Sequence, residues 1–427
     1  MKSRPPHHAS ASNYRNTRAV IDYSQQHFDA AHFHGLMAVY ARPSQGRLVE
    51  LAYGDRKQVV DFVRCSYLGL DNHPKIVAGA IDALKDYETL HWSCARTRLN
   101  FAMIADLEAD LSELFRARVI AYSSVLAANM GALPILATGH LTGGNRPLMV
   151  FDRHAHVTLA FHKGTIATET QVTTIGHNDM DALADLCRKH STVAYVCDGV
   201  YSMGGSARMA DLLELQERYG LFLYIDDAHG ISLTGKHGEG FARSQIDGAL
   251  GDRTIIAASL GKGFGASGGL LMLGTARQEE LFRRFAVAHA FSASPNTAAI
   301  GAACASAELH RTSELATLQQ RLRQRVELFD SHTPTAQSGT LLPIRTVVLG
   351  DEFAAISAGM TLMEQGFYVS SIFFPTVARG RAGLRICLTA GHTEQEITRL
   401  CASIAALMRT DDAAIDTIPK RSSPDAG

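Results

Sequence analysis

Short apolar segments alternate with amphipathic segments along most of the chain from about residue 61 onward. Residues 76–87 and 102–115 have the periodicity of helices that bury one face. Five short apolar runs are predicted to be buried strands: 119–122, 148–151, 193–197, 222–225 and 254–257. Such alternation predicts an α/β fold in which helices cover both faces of a mostly parallel sheet.

The length of 427 residues exceeds a typical single core, so we expect two domains. A helix predicted over residues 309–328 would lead into a smaller α+β domain. Its predicted elements are strands at 344–349, 367–369 and 384–388 and a closing helix at 394–408. We therefore predict four parts: an N-terminal arm (1–60) with a helix near 23–39, a large domain (61–305), a small domain (306–410) and a frayed tail (411–427).

Charge and cysteine usage limit the possible partners and compartments. A net charge of −1 gives no electrostatic reason to expect binding to nucleic acid or to an anionic membrane. The seven cysteines are scattered and include no Cys-x-x-Cys pair, which indicates reduced thiols rather than a disulfide framework. The first residues lack the apolar core of a signal peptide, and no apolar run approaches the ~18 residues of a membrane span. We expect a cytoplasmic protein without membrane insertion.

Lys262 lies in the glycine-rich sequence AASLGKGFGASGG (257–269), directly after the last predicted strand of the large domain. That position places it on a loop at a strand end, where α/β proteins bind ligands. Flanking glycines leave the amine accessible, as a lysine that forms a Schiff base with a bound aldehyde requires. A solvated lysine in a glycine-rich turn explains this stretch equally well when it is considered alone.

Asp226 adds a second observation, because it ends an apolar strand in the sequence LFLYIDDAHG (221–230), 36 residues before Lys262. A carboxylate at a strand end suits a protonated pyridine nitrogen, and that ion pair makes pyridoxal phosphate an electron sink. The run Asp-Asp-Ala-His (226–229) could instead bind a metal, although no other cluster with ligand spacing lies nearby.

The sequences DDAHG and SLGKGFGASGG, in this order and spacing, resemble those of the α-oxoamine synthases, a family of fold-type I pyridoxal-phosphate enzymes. The resemblance extends from about residue 61 to 408. It implies a seven-stranded, mostly parallel sheet in the large domain and pyridoxal 5'-phosphate (PLP) as the cofactor. It also implies a decarboxylative condensation of an amino acid with an acyl thioester, giving an α-amino ketone. The acyl donor would be a coenzyme A or acyl-carrier-protein thioester, and the enzyme a homodimer with shared active sites.

The resemblance assigns catalytic roles to Lys262, which bonds to the cofactor and acts as the base, to His156, which stacks on the pyridine ring, and to Asp226. Arg385, in the sequence GLRICLTA (383–390), would hold the α-carboxylate of the amino acid. A planar guanidinium matches a carboxylate with two parallel hydrogen bonds. A structural salt bridge is the alternative role for this arginine.

The cofactor phosphate would lie at the start of the helix that follows the strand at 119–122, since the first amides of a helix attract anions. By resemblance, Ser124 and the amides of Val125 and Leu126 hold it, together with Ser259. A hydroxyl from the neighbouring subunit would complete the phosphate site. In the sequence FSASP (291–295) alanine occupies the usual position of that hydroxyl, so either Ser294 or Ser292 substitutes, or the contact is missing and the segment is a turn without this role.

Three further residues would line the cofactor ring by resemblance. Asp198 stands where a glutamate is usual, Ser202 would lie near the phenolic oxygen, and His229 would hydrogen-bond that oxygen. These residues complete the predicted cofactor site.

The segments predicted to line the substrate mouth depart from the family pattern. Cys65 replaces a usual asparagine near the substrate, and the sequence HWSCARTR (91–98) replaces a glycine-rich segment. Trp92 would line an acyl pocket or pack in the core, and Arg96 or Arg98 would meet an anionic carrier. We therefore expect a substrate pair other than alanine with a pimeloyl thioester.

Two other functions fit parts of the same sequence. A fold-type I aminotransferase or lyase would use the same cofactor residues without acyl transfer. A non-catalytic subunit of a heterodimer is the other alternative, but such subunits usually lack the lysine, whereas Lys262, Asp226 and His229 are all present.

Overall fold

The protein, seen in a computed structural model that describes residues 17–52 and 57–416, divides into two units by its internal contacts. Among the described residues, the first unit comprises 17–20 and 65–322, and the second comprises 21–52, 57–64 and 323–416. The predictions for residues 1–16 and 417–427 lie outside the described part of the chain.

The elements follow in chain order. The helices are α1 (Thr17–Phe33), α2 (Pro74–Tyr87), α3 (Ala102–Phe115), α4 (Val125–Ala137), α5 (Val157–Ala160), α6 (Lys163–Ile166), α7 (Met180–Lys189), α8 (Met209–Tyr219), α9 (Ala276–Phe285), α10 (Val287–Ala290), α11 (Thr297–His310), α12 (Ser313–His332), α13 (Glu352–Glu364) and α14 (Glu394–Asp416). The strands are β1 (Ala41–Pro43), β2 (Leu48–Leu51), β3 (Gln58–Asp61), β4 (Arg118–Tyr122), β5 (Leu148–Asp152), β6 (Val172–Ile175), β7 (Val193–Asp198), β8 (Phe222–Asp226), β9 (Thr254–Ser259), β10 (Gly269–Leu273), β11 (Ile344–Gly350), β12 (Phe367–Tyr368), β13 (Ser370–Ile372) and β14 (Ala382–Cys387).

The first unit contains a seven-stranded sheet of order β4-β10-β9-β8-β7-β5-β6. Strand β10 runs antiparallel to both of its neighbours, and every other pair is parallel. The predicted α/β fold with a mostly parallel seven-stranded sheet is therefore confirmed. All five predicted strands of the large domain are present.

Both faces of this sheet are buried, because alternate residues of each strand pack into two separate apolar cores. In β4, for example, Val119 and Ala121 belong to one core, whereas Ile120 and Tyr122 belong to the other. Helices α3, α7, α8 and α11 supply the first core, and α4 and α9 supply the second. Burial on both faces explains why the strands are continuous apolar runs without polar alternation.

The second unit contains two smaller sheets of orders β1-β2-β3-β12 and β11-β14-β13. Strand β12 pairs with β3 in parallel, which joins the chain before residue 65 to the C-terminal part. Arg345 of β11 is completely buried and forms two hydrogen bonds of 2.6 and 2.7 Å with the carboxylate of Asp330. This ion pair is fully desolvated on the arginine side, so removal of either partner would leave a buried charge.

The element boundaries differ from the predicted ones at several places. The predicted helix at 309–328 is two helices, because α11 ends at His310 and α12 begins at Ser313. The contacts divide the chain inside α12, and they group residues 21–52 and 57–64 with the second unit. The first helix is Thr17–Phe33, and α14 continues to Asp416, beyond the predicted start of a frayed tail. Among the described residues, no helix is long and apolar enough to cross a bilayer.

Helices α2 and α11 cross at two glycines, Gly79 and Gly301, which allow their backbones to touch. A Cβ atom added at Gly301 would collide with the carbonyl oxygen of Gly79 and lie 2.5 Å from the Cβ of Ala83. We predict that Gly301→Ala lowers the free energy of unfolding by about 2 kcal/mol, because overpacking outweighs the gain of up to about 1 kcal/mol in helix propensity.

The matched control is Gly164→Ala in α6, where an added Cβ meets no atom within 4 Å. Urea unfolding should show no loss of stability for this variant. Equal effects of the two substitutions would contradict the close crossing of α2 and α11.

Candidate active site

Four parallel neighbouring strands of the large sheet end in polar residues at the same edge. Strands β5, β7, β8 and β9 end at Asp152, Asp198, Asp226 and Ser259. The register pairs Asp198 directly with Asp226 across β7 and β8. The carboxyl ends of parallel strands are the usual ligand site of an open α/β sheet, so this edge is the candidate active site.

Helix α4 begins at the same edge of the sheet, directly after β4. Ser124 is its N-cap, and the Ser124 hydroxyl accepts a hydrogen bond of 3.1 Å from the amide of Ala127. Val125 and Leu126 occupy the first two helical positions, whose amides have no partner within the helix. The predicted phosphate site is therefore the start of a 13-residue helix. Nearby, the Ser259 hydroxyl accepts a hydrogen bond from the Gly261 amide at 3.2 Å.

The carboxylate of Asp226 is buried and hydrogen-bonded only by neutral donors. It accepts bonds from the side-chain amide of Asn129 at 2.9 Å and from the backbone amide of Ala228 at 3.1 Å. Within residues 17–52 and 57–416, no lysine or arginine forms an ion pair with it. A buried carboxylate without a cation is costly, so this position fits a ligand that brings a positive charge, as a protonated pyridine nitrogen does.

Asn129, which the sequence motifs did not indicate, orients both Asp226 and His156. Its amide nitrogen donates to Asp226 and, at 3.3 Å, to the hydroxyl of Thr158, while its carbonyl accepts from the hydroxyl of Tyr224 at 2.8 Å. The Thr158 hydroxyl lies 2.9 Å from Nδ1 of His156. Asn129 is completely buried on α4, so the helix whose first amides form the predicted phosphate site also fixes the carboxylate.

Asp198 lies in surroundings that disfavour its ionised form. Burial and the neighbouring charge of Asp226 raise the pKa of the Asp198 carboxyl well above its usual range. One of its oxygens accepts a hydrogen bond of 2.9 Å from the backbone amide of His156. The predicted cofactor residues Asp198, His156 and Asp226 are therefore brought together.

The Lys262 amine lies 2.8 Å from Nε2 of His229, and Nδ1 of the same imidazole lies 2.6 Å from the hydroxyl of Tyr67. The three side chains form a short hydrogen-bonded chain that includes the Lys262 amine. Tyr67 is buried, and sequence reasoning missed it. The family-like sequence YLGL that begins at this residue was the available signal.

The remaining predicted residues, Ser202, Cys65, Ser294, Ser292 and Arg385, differ in burial. Ser202 and Cys65 are half-buried in the first unit. Ser294 is buried, and its hydroxyl donates to the backbone carbonyl of Pro295 at 2.8 Å, whereas Ser292 is half-buried. Arg385 is buried on β14 of the second unit, where it pairs with Thr346 and Ser370 of the adjacent strands.

The two arginines of the 91–98 segment differ in their surroundings. Arg96 is buried and donates to Glu108 at 2.9 Å and to the carbonyl of Ala121 at 2.7 Å, so it is a structural residue. Arg98 is exposed. Trp92 is half exposed, at 50%, and its other face packs on Phe101 with ring centroids 4.6 Å apart.

Comparisons with known proteins identify the family of the chain. The chain matches the sequence model of aminotransferase class I and II over residues 67–404. It is 30% identical over 399 residues to 8-amino-7-oxononanoate synthase of Geobacter sulfurreducens, which covers 92% of this chain and 98% of that protein. It is 26% identical to mitochondrial 2-amino-3-ketobutyrate coenzyme A ligase of Bos taurus, with coverages of 83% and 84%. Its fold is similar to serine palmitoyltransferase from S. paucimobilis with a bound PLP–myriocin aldimine, with a TM-score of 0.80 at 19% identity over 93% of this chain and 99% of that chain.

The fold and the strand-end site define a PLP-dependent enzyme of the aminotransferase class I and II type. The chain belongs to that family and, within it, to the α-oxoamine synthases. It is a PLP-dependent acyltransferase that condenses an amino acid with an acyl thioester and releases carbon dioxide. Among the described residues, no cluster of three or more histidine, cysteine, aspartate or glutamate side chains is arranged to hold a metal.

Asp227, next to Asp226, is a second buried carboxyl of unusual protonation. One oxygen accepts from the Ala242 amide at 2.9 Å, and the other has no hydrogen-bond partner among the described residues. Burial raises its pKa from 3.8 to about 8. The unfolded chain releases the proton of Asp227 near pH 4, whereas the folded protein keeps it until the pH approaches 8. The contribution of this group to the free energy of unfolding is therefore fully present below about pH 4 and is lost as the pH rises toward 8.

We predict that Asp227→Asn removes this loss. The parent protein should lose up to ~1.4 kcal/mol per pH unit relative to the variant as the pH rises from about 5 to 8. Urea unfolding of both proteins at several pH values, with the same PLP concentration, measures the difference. The exposed carboxyl of Asp247 provides the control variant Asp247→Asn. A constant difference between Asp227→Asn and the parent across this range would contradict the neutral state of Asp227.

Proposed function

We propose that Lys262, His229 and Tyr67 move protons during the condensation, that Asp226 balances the charge of the cofactor, and that Arg385 holds the amino-acid carboxylate. The 2.8 Å contact between the Lys262 amine and His229 is the observation that carries this assignment. It places a titratable imidazole at the one lysine that the sequence indicates as reactive.

The hydrogen-bonded chain supports a neutral lysine. When the Tyr67 hydroxyl donates to Nδ1 of His229, the remaining ring proton lies on Nε2 and points to the Lys262 nitrogen. The lone pair of a neutral amine accepts that bond. A neutral amine is the form that a general base requires, and lysine otherwise titrates near 10.4.

PLP, when bound, delocalises the electron pair that is left at the α-carbon of the amino acid. Asp226 would hold the proton on its pyridine nitrogen, with Asn129 fixing the carboxylate. Ser124, Ser259 and the amides of Val125 and Leu126 would hold its phosphate, and His156 would lie against its ring. Ser202 would contact its phenolic oxygen, beside His229 and Asp198.

The part of the site that binds the acyl donor would accept a thioester of coenzyme A or of an acyl-carrier protein. Arg98 is the arginine of the 91–98 segment that remains exposed for a phosphate-bearing carrier, because Arg96 is bound to Glu108. The exposed face of Trp92 offers an apolar surface to an acyl chain. Cys65, at the start of the first unit, is proposed to face the substrate.

A second copy of the chain would cover an apolar surface of the first unit. Helix α4 packs against α5 and α10, and these helices expose Leu126, Met130, Val157, Phe161 and Val287, with Phe291 exposed to 80% directly after α10. A surface of this kind marks a protein interaction site. In a homodimer, the segment 291–295 would supply Ser292 or Ser294 to the phosphate site of the partner. We place this dimer in the cytoplasm.

The experiment that tests the function measures carbon dioxide and free thiol from a panel of amino acids and acyl thioesters, coenzyme A-bound and carrier-bound. We predict that the two products appear in equal amounts and that alanine with a pimeloyl thioester is not the most efficient pair. Amino-group transfer without thiol release would instead indicate an aminotransferase. The highest efficiency with alanine and pimeloyl thioester would show that the 91–98 segment does not alter specificity.

In the same assay, Lys262→Ala should lower the rate at least about a thousandfold, because both the covalent attachment and the base are lost. Mass spectrometry after borohydride reduction should find PLP attached to the parent and not to the variant. Lys236→Ala, at an exposed lysine, is the control and should retain both properties. PLP attached to Lys262→Ala would contradict the assignment.

A further inference from the structure

One buried imidazole, that of His310 on α11, contacts both loops that carry the proposed proton-transfer groups. Its ring stacks on Phe264, two residues after Lys262, with centroids 4.5 Å apart and planes at 30°. Its Nε2 lies 2.8 Å from the hydroxyl of Ser232, three residues after His229. His310 is only 1% exposed, so it belongs to the interior that supports these loops.

The direction of the hydrogen bonds at His310 follows from its neighbours. Nδ1 lies 2.7 Å from the backbone carbonyl of Ser306, which can only accept, so the ring proton lies on Nδ1. Burial lowers the pKa of His310 to about 4, and the ring is neutral. Nε2 therefore accepts from the Ser232 hydroxyl. The Ser306 hydroxyl donates to the carbonyl of Phe264 at 2.6 Å, which adds a second bond from α11 to the lysine loop.

Ser232 needs this support because its backbone is in the left-handed region, with φ of 70°. Side chains other than glycine are disfavoured there. Ser232 is completely buried, and its carbonyl accepts a bond of 2.9 Å from Gln319. The lysine loop lies directly on this turn, since a Cβ atom added at Gly263 would be 2.7 Å from the carbonyl oxygen of Ile231.

We propose that His310 is a positioning residue for the condensation. It acts through Ser232 and Phe264, and it fixes the backbones of the two loops so that the Lys262 amine stays in contact with His229. This role of His310 rests on the roles proposed above for Lys262 and His229. A displacement of about 1 Å in such a contact can cost up to a hundredfold in rate, so a support outside the reaction site is sufficient to affect turnover.

The test compares Ser232→Ala with Ser232→Gly, and each with His310→Leu. The Ser232→Ala variant loses the hydroxyl that bonds to His310 but keeps a Cβ atom in the left-handed region. The Ser232→Gly variant also loses the hydroxyl, but glycine adopts a φ of 70° without strain. We expect Ser232→Ala and His310→Leu each to lower kcat about tenfold or more, with KM for the amino acid changed less than about twofold. Ser232→Gly should lose less than Ser232→Ala. In the His310→Leu background it should restore much of kcat, which is a non-additive effect.

Hydrogen exchange of the holoprotein supplies a readout besides activity. Amides of the segment 260–266 should exchange faster in His310→Leu and return toward the parent rate in the double variant. His140→Leu, at an exposed histidine, is the matched control and should change neither readout.

Additive effects in the double variant, or equal behaviour of Ser232→Ala and Ser232→Gly, would overturn the proposal. An unchanged kcat in His310→Leu would do the same. A parent protein that condenses no acyl thioester, or a Lys262→Ala variant that keeps full activity, would instead contradict the proposed function on which this inference rests.

Discussion

The buried carboxylate of Asp226 is the constraint on which the candidate site depends. It ends a central parallel strand, it is removed from water, and its hydrogen-bond donors within residues 17–52 and 57–416 are the neutral amides of Asn129 and Ala228. The desolvation cost of a carboxylate in this position is offset only if hydrogen bonds hold the carboxylate in place and a cation balances its charge. Helix α4 satisfies the first condition through Asn129, and a protonated ring nitrogen of the cofactor would satisfy the second.

Three buried carboxyl groups, those of Asp198, Asp226 and Asp227, lie at this edge of the sheet. Asp198 and Asp227 flank Asp226 in space and in sequence, and burial raises the pKa of both carboxyls. The raised pKa values of Asp198 and Asp227 favour their neutral forms and so reduce the negative charge beside Asp226. Three ionised groups at this spacing would repel one another in a region of low dielectric.

The sequence predicted the parts of the molecule that local pattern controls. The five large-domain strands are buried apolar runs of the expected length, and residues next to their ends form the site because parallel strands share an edge. In the large domain, strands β6 and β10 were missed: β6 is only partly buried and threonine-rich, and β10 begins at Gly269, inside the glycine-rich sequence of 257–269. The roles of Asn129, Tyr67 and His310 depend on contacts between residues 97, 162 and 78 positions apart, which a local pattern does not reveal.

The account is tested most directly by the free energy of unfolding of the parent and of Asp226→Asn, each with and without PLP. If Asp226 is a buried charge that lacks a cation in the apo protein, it lowers the stability of the apo parent. The apo form of Asp226→Asn should then be at least as stable as the apo parent. PLP should then stabilise the parent strongly and the variant much less. An apo variant less stable than the apo parent, together with equal stabilisation of both by PLP, would contradict the claim that Asp226 is the charge partner of the cofactor.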